Sequence, residues 1–294
     1  MNFDRYLPED HEPNAVRVSE LYYLAQSEFI APYPSVRLPS FPMFSEMTGG
    51  FRANEFTILC GATGTGKTTL AANWSLDMIE QDIPHFIASV ETGATDYIKR
   101  MISARAGQDW NTGDRVPTDF LKVFNDQHAE KFKSGSSWVS LYDDRCAVEY
   151  LMADLAHMVK HHGCKVAIID NLNFFMEVTS ANQSVVEMDR VIHELIIFCK
   201  QLPIHIVMVM HPKKTDHGRV ESEFDIKGSS TSVQEAHNVL LFNRVHPDLI
   251  KANVADEGDR EIMIAKMRRK GKYVRRRIVI KARNGVTYFE GPVV

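Results

Sequence analysis

The octapeptide Gly61-Ala62-Thr63-Gly64-Thr65-Gly66-Lys67-Thr68 fills every fixed position of the pattern G-x-x-x-x-G-K-[ST], and its flanks constrain the fold as strongly as the motif itself. An apolar, strand-like run, Phe56-Thr57-Ile58-Leu59-Cys60, precedes it, and a helix-like stretch from Thr69 to Ile79 follows. Strand, glycine-rich turn and helix in that order make a phosphate-binding loop. The glycines let the backbone curl so that successive N–H groups converge on an anion, beside a helix N-terminus that also favours negative charge. Residues Gly61 to Thr69 are the expected phosphate cradle. Lys67 is expected to reach the β- and γ-phosphates, and the Thr68 hydroxyl to help hold Mg²⁺. The alternative, a glycine-rich turn that binds nothing, is disfavoured by the complete motif and by both flanks. The expected ligand is a nucleoside triphosphate with Mg²⁺.

The rest of the chain fits a sheet of parallel strands wrapped by helices. Strand-like stretches recur at Thr57–Cys60, His85–Val90, Trp138–Leu141, Lys165–Asp170 and Ile204–Met210, with helical stretches between most of them. Gly107 to Ser137 reads as a polar, helix-containing insertion. After Val239–Phe242 the pattern changes to short strands at Glu261–Lys266, Val274–Lys281 and Thr287–Glu290, and Asn284-Gly285 is a hairpin signal. Ahead of the main domain, residues 1–13 read as disordered, and Ala15–Phe29 as a helix with Val16, Leu21, Leu24 and Phe29 on one stripe. Pro32 and Pro34 end that helix, and an extended segment runs to about Ser40. The expected domains are therefore a tail with a linker helix over 1–40 and an α/β body over 41–294. The helix either folds back on its own domain or docks on a neighbouring subunit.

Composition excludes more than it selects. At 294 residues with a net charge of −4, the chain is an ordinary globular protein, not a wholly basic nucleic-acid binder. The charge is unevenly placed: Asp4 to Glu12 is acidic, while Lys266 to Arg283 holds ten Lys or Arg residues. The four cysteines (Cys60, Cys146, Cys164, Cys199) lack metal or disulfide spacing and read as buried thiols. The N-terminus lacks the basic and apolar order of a signal peptide, and no apolar run reaches membrane-spanning length. The expectation is a soluble, intracellular (cytoplasmic) chain with no membrane partner.

Three strand ends carry candidate chemistry. Val166-Ala167-Ile168-Ile169 ends in Asp170, the expected Mg²⁺ partner of a phosphate loop. Phe86-Ile87-Ala88-Ser89-Val90 ends in Glu91. If that strand neighbours the phosphate-loop strand, Glu91 can orient or deprotonate an attacking water; otherwise it reads as a helix N-cap acid. Ile206-Val207-Met208-Val209-Met210 delivers His211 to the same edge of the sheet, where open α/β sheets bind ligands. There it either senses the γ-phosphate or is structural. A long polar loop follows, with Lys213, Lys214 and Arg219, closing on Asp225-Ile226-Lys227-Gly228-Ser229-Ser230. Its basic residues suit phosphate contacts, and Gly228 with Ser229 lets the main chain approach a ligand. The same loop reads alternatively as solvated and flexible.

Taken with Met47-Thr48-Gly49-Gly50-Phe51, Gln234-Glu235-Ala236 and Ala265-Lys266-Met267-Arg268, these segments resemble, over roughly residues 40–294, the motor domain of replicative ring helicases of the DnaB, phage primase-helicase and Twinkle types. The resemblance implies a RecA-like fold with a mostly parallel central sheet flanked by helices, a C-terminal antiparallel strand extension and a short preceding linker helix. It implies an ATP- or dNTP-driven helicase acting on single-stranded DNA as a homo-oligomer, usually a hexameric ring, and a separate primase or helicase loader among its partners. Lys67, Thr68 and Asp170 would hold Mg-nucleotide, Glu91 would be the catalytic carboxylate, His211 the γ-phosphate sensor and Gln234 its coupler to the DNA loop. Lys213, Lys214, Arg219, Lys227, Gly228 and Ser229 would face DNA. Lys266 and Arg268, which point the same way on a strand, would reach a neighbouring subunit's site as arginine-finger groups. Read without the resemblance, the pair is an edge-strand charge device. Two departures stand out: no bulky N-terminal domain precedes the motor, and Arg268–Arg277 is more basic than the pattern requires. The rival readings are a RecA-like single-strand-binding recombination or annealing ATPase that does not unwind, and an oligomeric NTPase switch with a protein client.

Overall fold

A computed structural model describes residues 17–30, 34–89, 91–110, 116–142, 147–171, 181–213, 219–227, 230–269 and 271–294. Lys214, Gly228, Ser229, Cys146 and the tail 1–13 lie outside the described residues. The chain divides into two compact units, 1–34 and 35–294. The first holds helix α1 (Val18–Ile30), whose Val18, Leu21, Tyr22 and Tyr23 are exposed. Residues 35–40, assigned to the linker by sequence, belong to the second unit. There β1 (Ser35–Val36) pairs with β2 (Phe51–Arg52), and Leu38 is buried.

Nine strands form the main sheet: β3 (Phe56–Cys60), β4 (His85–Ser89), β5 (Ser137–Val139), β6 (Val166–Asp170), β7 (His205–Met210), β8 (Asn238–Arg244), β9 (Arg260–Met267), β10 (Arg277–Arg283) and β11 (Thr287–Val293). Their order is β11-β10-β9-β8-β3-β7-β6-β4-β5. Strands from β8 to β5 run parallel, and β9, β10 and β11 continue the sheet antiparallel. Asn284 and Gly285, both at positive φ, turn β10 into β11 as the Asn-Gly pair predicts.

The parallel strands other than the half-buried edge strand β5 are buried on both faces, as helices on either side require. Period-2 alternation divides their side chains between two cores. Phe56, Ile58, Ala167, Ile169, Ile206, Met208, Val239 and Leu241 face helices α6 (Val148–His162) and α7 (Ala181–Gln201). Leu59, Val166, Ile168, Val207, Val209, Leu240 and Phe242 face α3 (Lys67–Glu80) and α2 (Pro42–Thr48). Trp74 of α3 centres the second core, with the rings of Phe44 and Phe51 at 5.4 and 5.2 Å. Gly50 turns α2 into β2 at φ +74, where an added Cβ would lie 2.3 Å from the Val36 carbonyl. That close approach accounts for a glycine in the Met47–Phe51 segment. Helices α4 (Ala94–Ala106) and α5 (Thr118–Phe132) flank the β4–β5 end, α5 being the helix of the expected insertion. Short helices α8 (Ser230–Glu235) and α9 (Pro247–Lys251) flank β8 in sequence. No helix among the described residues is long and apolar enough to cross a membrane.

Candidate active site

Strand register assembles the site. Cys60 faces Met210 across the β3–β7 pair, and the Gly61 N–H donates to the Met210 carbonyl at 3.3 Å, so His211 emerges beside the start of the phosphate loop. One strand further, Ile169 faces Met208 and Asp170 closes β6. Ser89 faces Asp170 across the β4–β6 pair, and Glu91 follows two residues on. Parallel strands thus deliver four groups to one carboxyl edge.

The premise that β4 neighbours β3 does not hold, because β7 and β6 lie between them. Glu91 nevertheless reaches the site. Its Oε2 accepts a hydrogen bond from Asn171 Nδ2 at 2.5 Å and lies 3.7 Å from His211 Nε2. The N-cap alternative also fails: Gly93 occupies the N-cap of α4.

Lys67 is buried, and its Nζ donates to the carbonyls of Gly61 at 2.7 Å and Ala62 at 3.0 Å, with His211 Nδ1 at 3.4 Å. Burial lowers its pKa, an effect that Asp170 opposes. The Thr68 hydroxyl donates to Asp170 Oδ2 at 2.6 Å. Asp170 is 2% exposed, and burial raises its carboxyl above the usual range, the Thr68 bond opposing. Burial, then the Lys67 charge, pushes His211 below the ordinary histidine value, so it stands neutral beside the ammonium. Thr63 Oγ1 lies 3.4 Å from the same His211 Nδ1. Thr69 lies in the first turn of α3, its carbonyl accepting from Asn73 Nδ2 at 2.8 Å.

Behind the loop stands a clamp that sequence reasoning missed. Gly66 sits at φ +94, and an added Cβ would meet Tyr288 Oη at 2.3 Å. Tyr288 is 3% exposed, its N–H donates to Asn73 Oδ1 at 3.0 Å, and its hydroxyl is hydrogen-bonded to Arg260. Arg260 Nε in turn donates to the Thr65 carbonyl at 2.7 Å. Arg260 and Tyr288 lie 195 and 215 residues from the Thr65 and Asn73 that they hold, and no local pattern marks them.

The loop after His211 returns on itself. Pro212 bridges Ile226, the Lys213 N–H donates to Asp225 O at 2.7 Å, and the Lys227 N–H donates to His211 O at 3.2 Å. Lys213 Nζ donates to Phe224 O at 3.1 Å, and Lys227 is exposed. Arg219, expected to face DNA, instead donates to the Arg244 carbonyl at 2.6 Å and to the fully buried Glu261 carboxylate. A guanidinium matched to a buried carboxylate anchors the loop to the sheet.

Lys266 and Arg268 do point the same way, toward the end of α8. Lys266 Nζ donates to the carbonyls of Val233 (2.9 Å) and Gln234, and Arg268 Nη2 to those of Gln234 and Glu235, both at 3.0 Å. Cations at helix C-terminal carbonyls satisfy groups that the helix leaves open. Strand β10 pairs with β9 only over Arg260–Met263, so Lys266 stands on a stretch paired with β8 alone, and its ammonium is turned onto α8. The Gln234 side chain is exposed. Cys60, Cys164 and Cys199 are buried free thiols whose pKa values burial raises to about 12, which suits packing rather than reactivity.

A parallel core in the order β8-β3-β7-β6-β4, with a phosphate loop after β3 and polar groups at three further strand ends, defines a RecA-like P-loop NTPase domain. The pattern of the DnaB-like helicase C terminal domain matches residues 39–290, and the chain belongs to that family. The DNA helicase/primase of Enterobacteria phage T3 is 23% identical over 211 residues, covering 68% of this chain and 37% of that protein. The chain thus spans little more than a third of that relative's length. Among solved structures, an ATPase domain superposes with a TM-score of 0.73 at 18% identity, covering 94% of this chain and 99% of its own. A DnaB-like replicative helicase, described with its interactions with primase, gives 0.73 at 16% identity, covering 97% and 69%.

Proposed function

We propose that this chain is the motor of a ring-forming replicative DNA helicase, hydrolysing ATP or a dNTP while it moves along single-stranded DNA and separates duplex. The observation that carries the reading is the meeting of Lys67, the Thr68–Asp170 pair, Glu91 and His211 at one sheet edge. Thr68 and Asp170 offer two hard oxygens already in contact, a donor set that suits Mg²⁺ completed by phosphate oxygens. Mg²⁺ there would neutralise charge developing on the transferred phosphoryl group.

In this reading Lys67 leaves the Gly61 and Ala62 carbonyls for the β- and γ-phosphates. Glu91, half-exposed and oriented by Asn171, accepts a proton from the attacking water. His211, neutral and within reach of Lys67 and Glu91, responds to the γ-phosphate, and the Pro212–Ile226 bridge passes that response to the loop ends. Lys213, Lys214 and Lys227, with the backbone at Gly228 and Ser229, contact the DNA backbone, while Arg219 holds the loop in place. Gln234 couples nucleotide state to that loop. Lys266 and Arg268 serve the neighbouring subunit's site, a hexameric ring places them there, and α1 docks on an adjacent subunit. A separate primase and a loader are the proposed partners.

The experiment is steady-state hydrolysis with and without single-stranded DNA, with oligomer mass and fork unwinding read on the same preparation. Hydrolysis stimulated by single strands, unwinding, and loss of both in Lys67→Ala are expected. Stimulated hydrolysis without unwinding would favour the annealing ATPase, and turnover indifferent to DNA would overturn the motor reading.

A further inference from the structure

Beside the 211–227 loop lies a cavity of about 380 Å³, within the roughly 300–1,000 Å³ range of small-molecule sites. One wall is the returning leg of that loop, with Glu221, Glu223 and Phe224; the other is the β9–β10 connection, with Val274, Arg275 and Arg277. Phe224 is 68% exposed, a large ring left in water at the cavity mouth. Arg277 is committed, its Nε lying 3.9 Å from the buried Glu261 carboxylate that also holds Arg219. Arg275 and its neighbour Arg276 are exposed, and their guanidiniums have no partner among the described residues. Arg275 sits at φ +69, in the turn that leads into β10. The cavity therefore joins an unpaired guanidinium, an open aromatic face and two carboxylates, of which Glu223 feels the Lys266 charge.

Few ligands satisfy all three. A bare phosphate answers Arg275 but is repelled by Glu221 and Glu223, and an acidic peptide meets the same repulsion. A nucleotide unit answers each wall: its base stacks on Phe224, its phosphate meets Arg275, and an exocyclic amino group donates to a carboxylate. Cytosine and adenine carry that amino group, whereas thymine does not. Location agrees, because Lys213 Nζ donates to the Phe224 carbonyl and the Lys213 N–H to Asp225. A strand lying on Lys213 passes directly by Phe224.

We propose that this cavity is a second nucleic-acid subsite, which takes one amino-bearing base of single-stranded DNA and gives the motor a preference for dC and dA over dT tracts. The proposal rests on the motor reading above and assigns Arg275 of the β9–β10 connection, which that reading leaves without a role.

The test is fluorescence anisotropy on the full chain with labelled dC, dA and dT twelve-mers, in Mg²⁺ and a non-hydrolysable nucleotide. Wild type is expected to bind dC and dA more tightly than dT. Phe224→Ala and Arg275→Ala should each raise the Kd for dC roughly tenfold, and Glu221→Gln/Glu223→Gln should bring dC down toward dT. All these side chains are accessible, so the core is left intact. Irradiation of a 5-iodo-deoxycytidine strand should crosslink to Phe224. Wild-type binding of all three oligonucleotides by these variants, with Lys213→Ala/Lys214→Ala still weakening it, would overturn the subsite and leave the motor reading standing. If the wild-type chain binds no oligonucleotide, both fall together.

Discussion

Arg219 separates two accounts of one residue, and its removal has a calculable effect. The Glu261 carboxylate is fully buried, and Arg219 is its principal counter-charge, with Arg277 Nε at 3.9 Å and the His246 N–H at 3.3 Å. Taking away one member of a buried pair typically costs about 3–5 kcal/mol, because the remaining charge stays desolvated. Since Arg277 survives as a second cation, the lower end applies, and Arg219→Ala should lose about 3 kcal/mol. For a domain of this size that is a fall in Tm of roughly 6–12 °C. Urea unfolding and thermal melting measure it directly. Arg219→Ala/Glu261→Leu should recover much of the loss, because no buried charge is then left alone. A DNA-facing Arg219 would behave oppositely, with unchanged stability and a salt dependence of DNA binding shallower by about one ion. That outcome would refute the anchoring role.

Other substitutions probe the loop and the sheet. Gly66→Ala should abolish nucleotide binding in a fluorescent-nucleotide titration, and adding Tyr288→Phe should restore part of it, since the 2.3 Å clash is with the hydroxyl while the φ of +94 remains strained. No recovery at all would place the defect in backbone strain alone. Glu91→Gln should keep nucleotide affinity and lower kcat by about 10²-fold or more; parallel loss of binding would make Glu91 structural. Acid should destabilise the chain through His85 and His205, buried neutral with pKa values pushed down to about 4 and about 3. Because the folded values lie below the unfolded one, their stabilisation is complete above pH 6.5 and is lost as pH falls toward 4. At pH 5 each loses about 2 kcal/mol. His205→Leu should roughly halve the combined slope of unfolding free energy against pH over that range, and an unchanged slope would count against burial as its cause.

What the sequence made legible was local. The phosphate loop announced itself because its chemistry needs contiguous residues, and Asp170, Glu91 and His211 were readable because each ends an apolar run. The Asn284-Gly285 turn followed from two adjacent positive-φ positions. The strand order was not local. Nothing in His85–Val90 says that two strands intervene before the phosphate loop, and Glu91 reaches the site by extending past its strand end toward Asn171. The partner of Arg219 was hidden for a related reason. A basic residue in a polar loop looks free until the fold supplies Glu261, forty-two residues on and fully buried. The β1–β2 pair and α2 escaped notice because each is too short to show a period.

The antiparallel extension ties these pieces together. Strand β9 begins with Arg260, bound to the Thr65 carbonyl and the Tyr288 hydroxyl behind the phosphate loop, and near its other end Lys266 grips the carbonyls that close α8. The two contacts are six residue steps apart, roughly 20 Å at 3.4 Å per residue. Strand β8 pairs with it from Arg260 to Met267, with a register shift at Val239/Leu240, and β10 pairs with it over Arg260–Met263. A displacement of the phosphate loop that moves Arg260 along the strand axis is held by two neighbours only as far as Met263, and beyond the register shift β8 alone carries it toward the Lys266 and Arg268 contacts with α8. In the ring reading this same strand carries the groups offered to the next subunit. The extension then has a mechanical reason to be antiparallel: a strand hydrogen-bonded beside β8 and running against it starts at the carboxyl edge, where the nucleotide is held, and ends beside α8, whose Gln234 precedes β8.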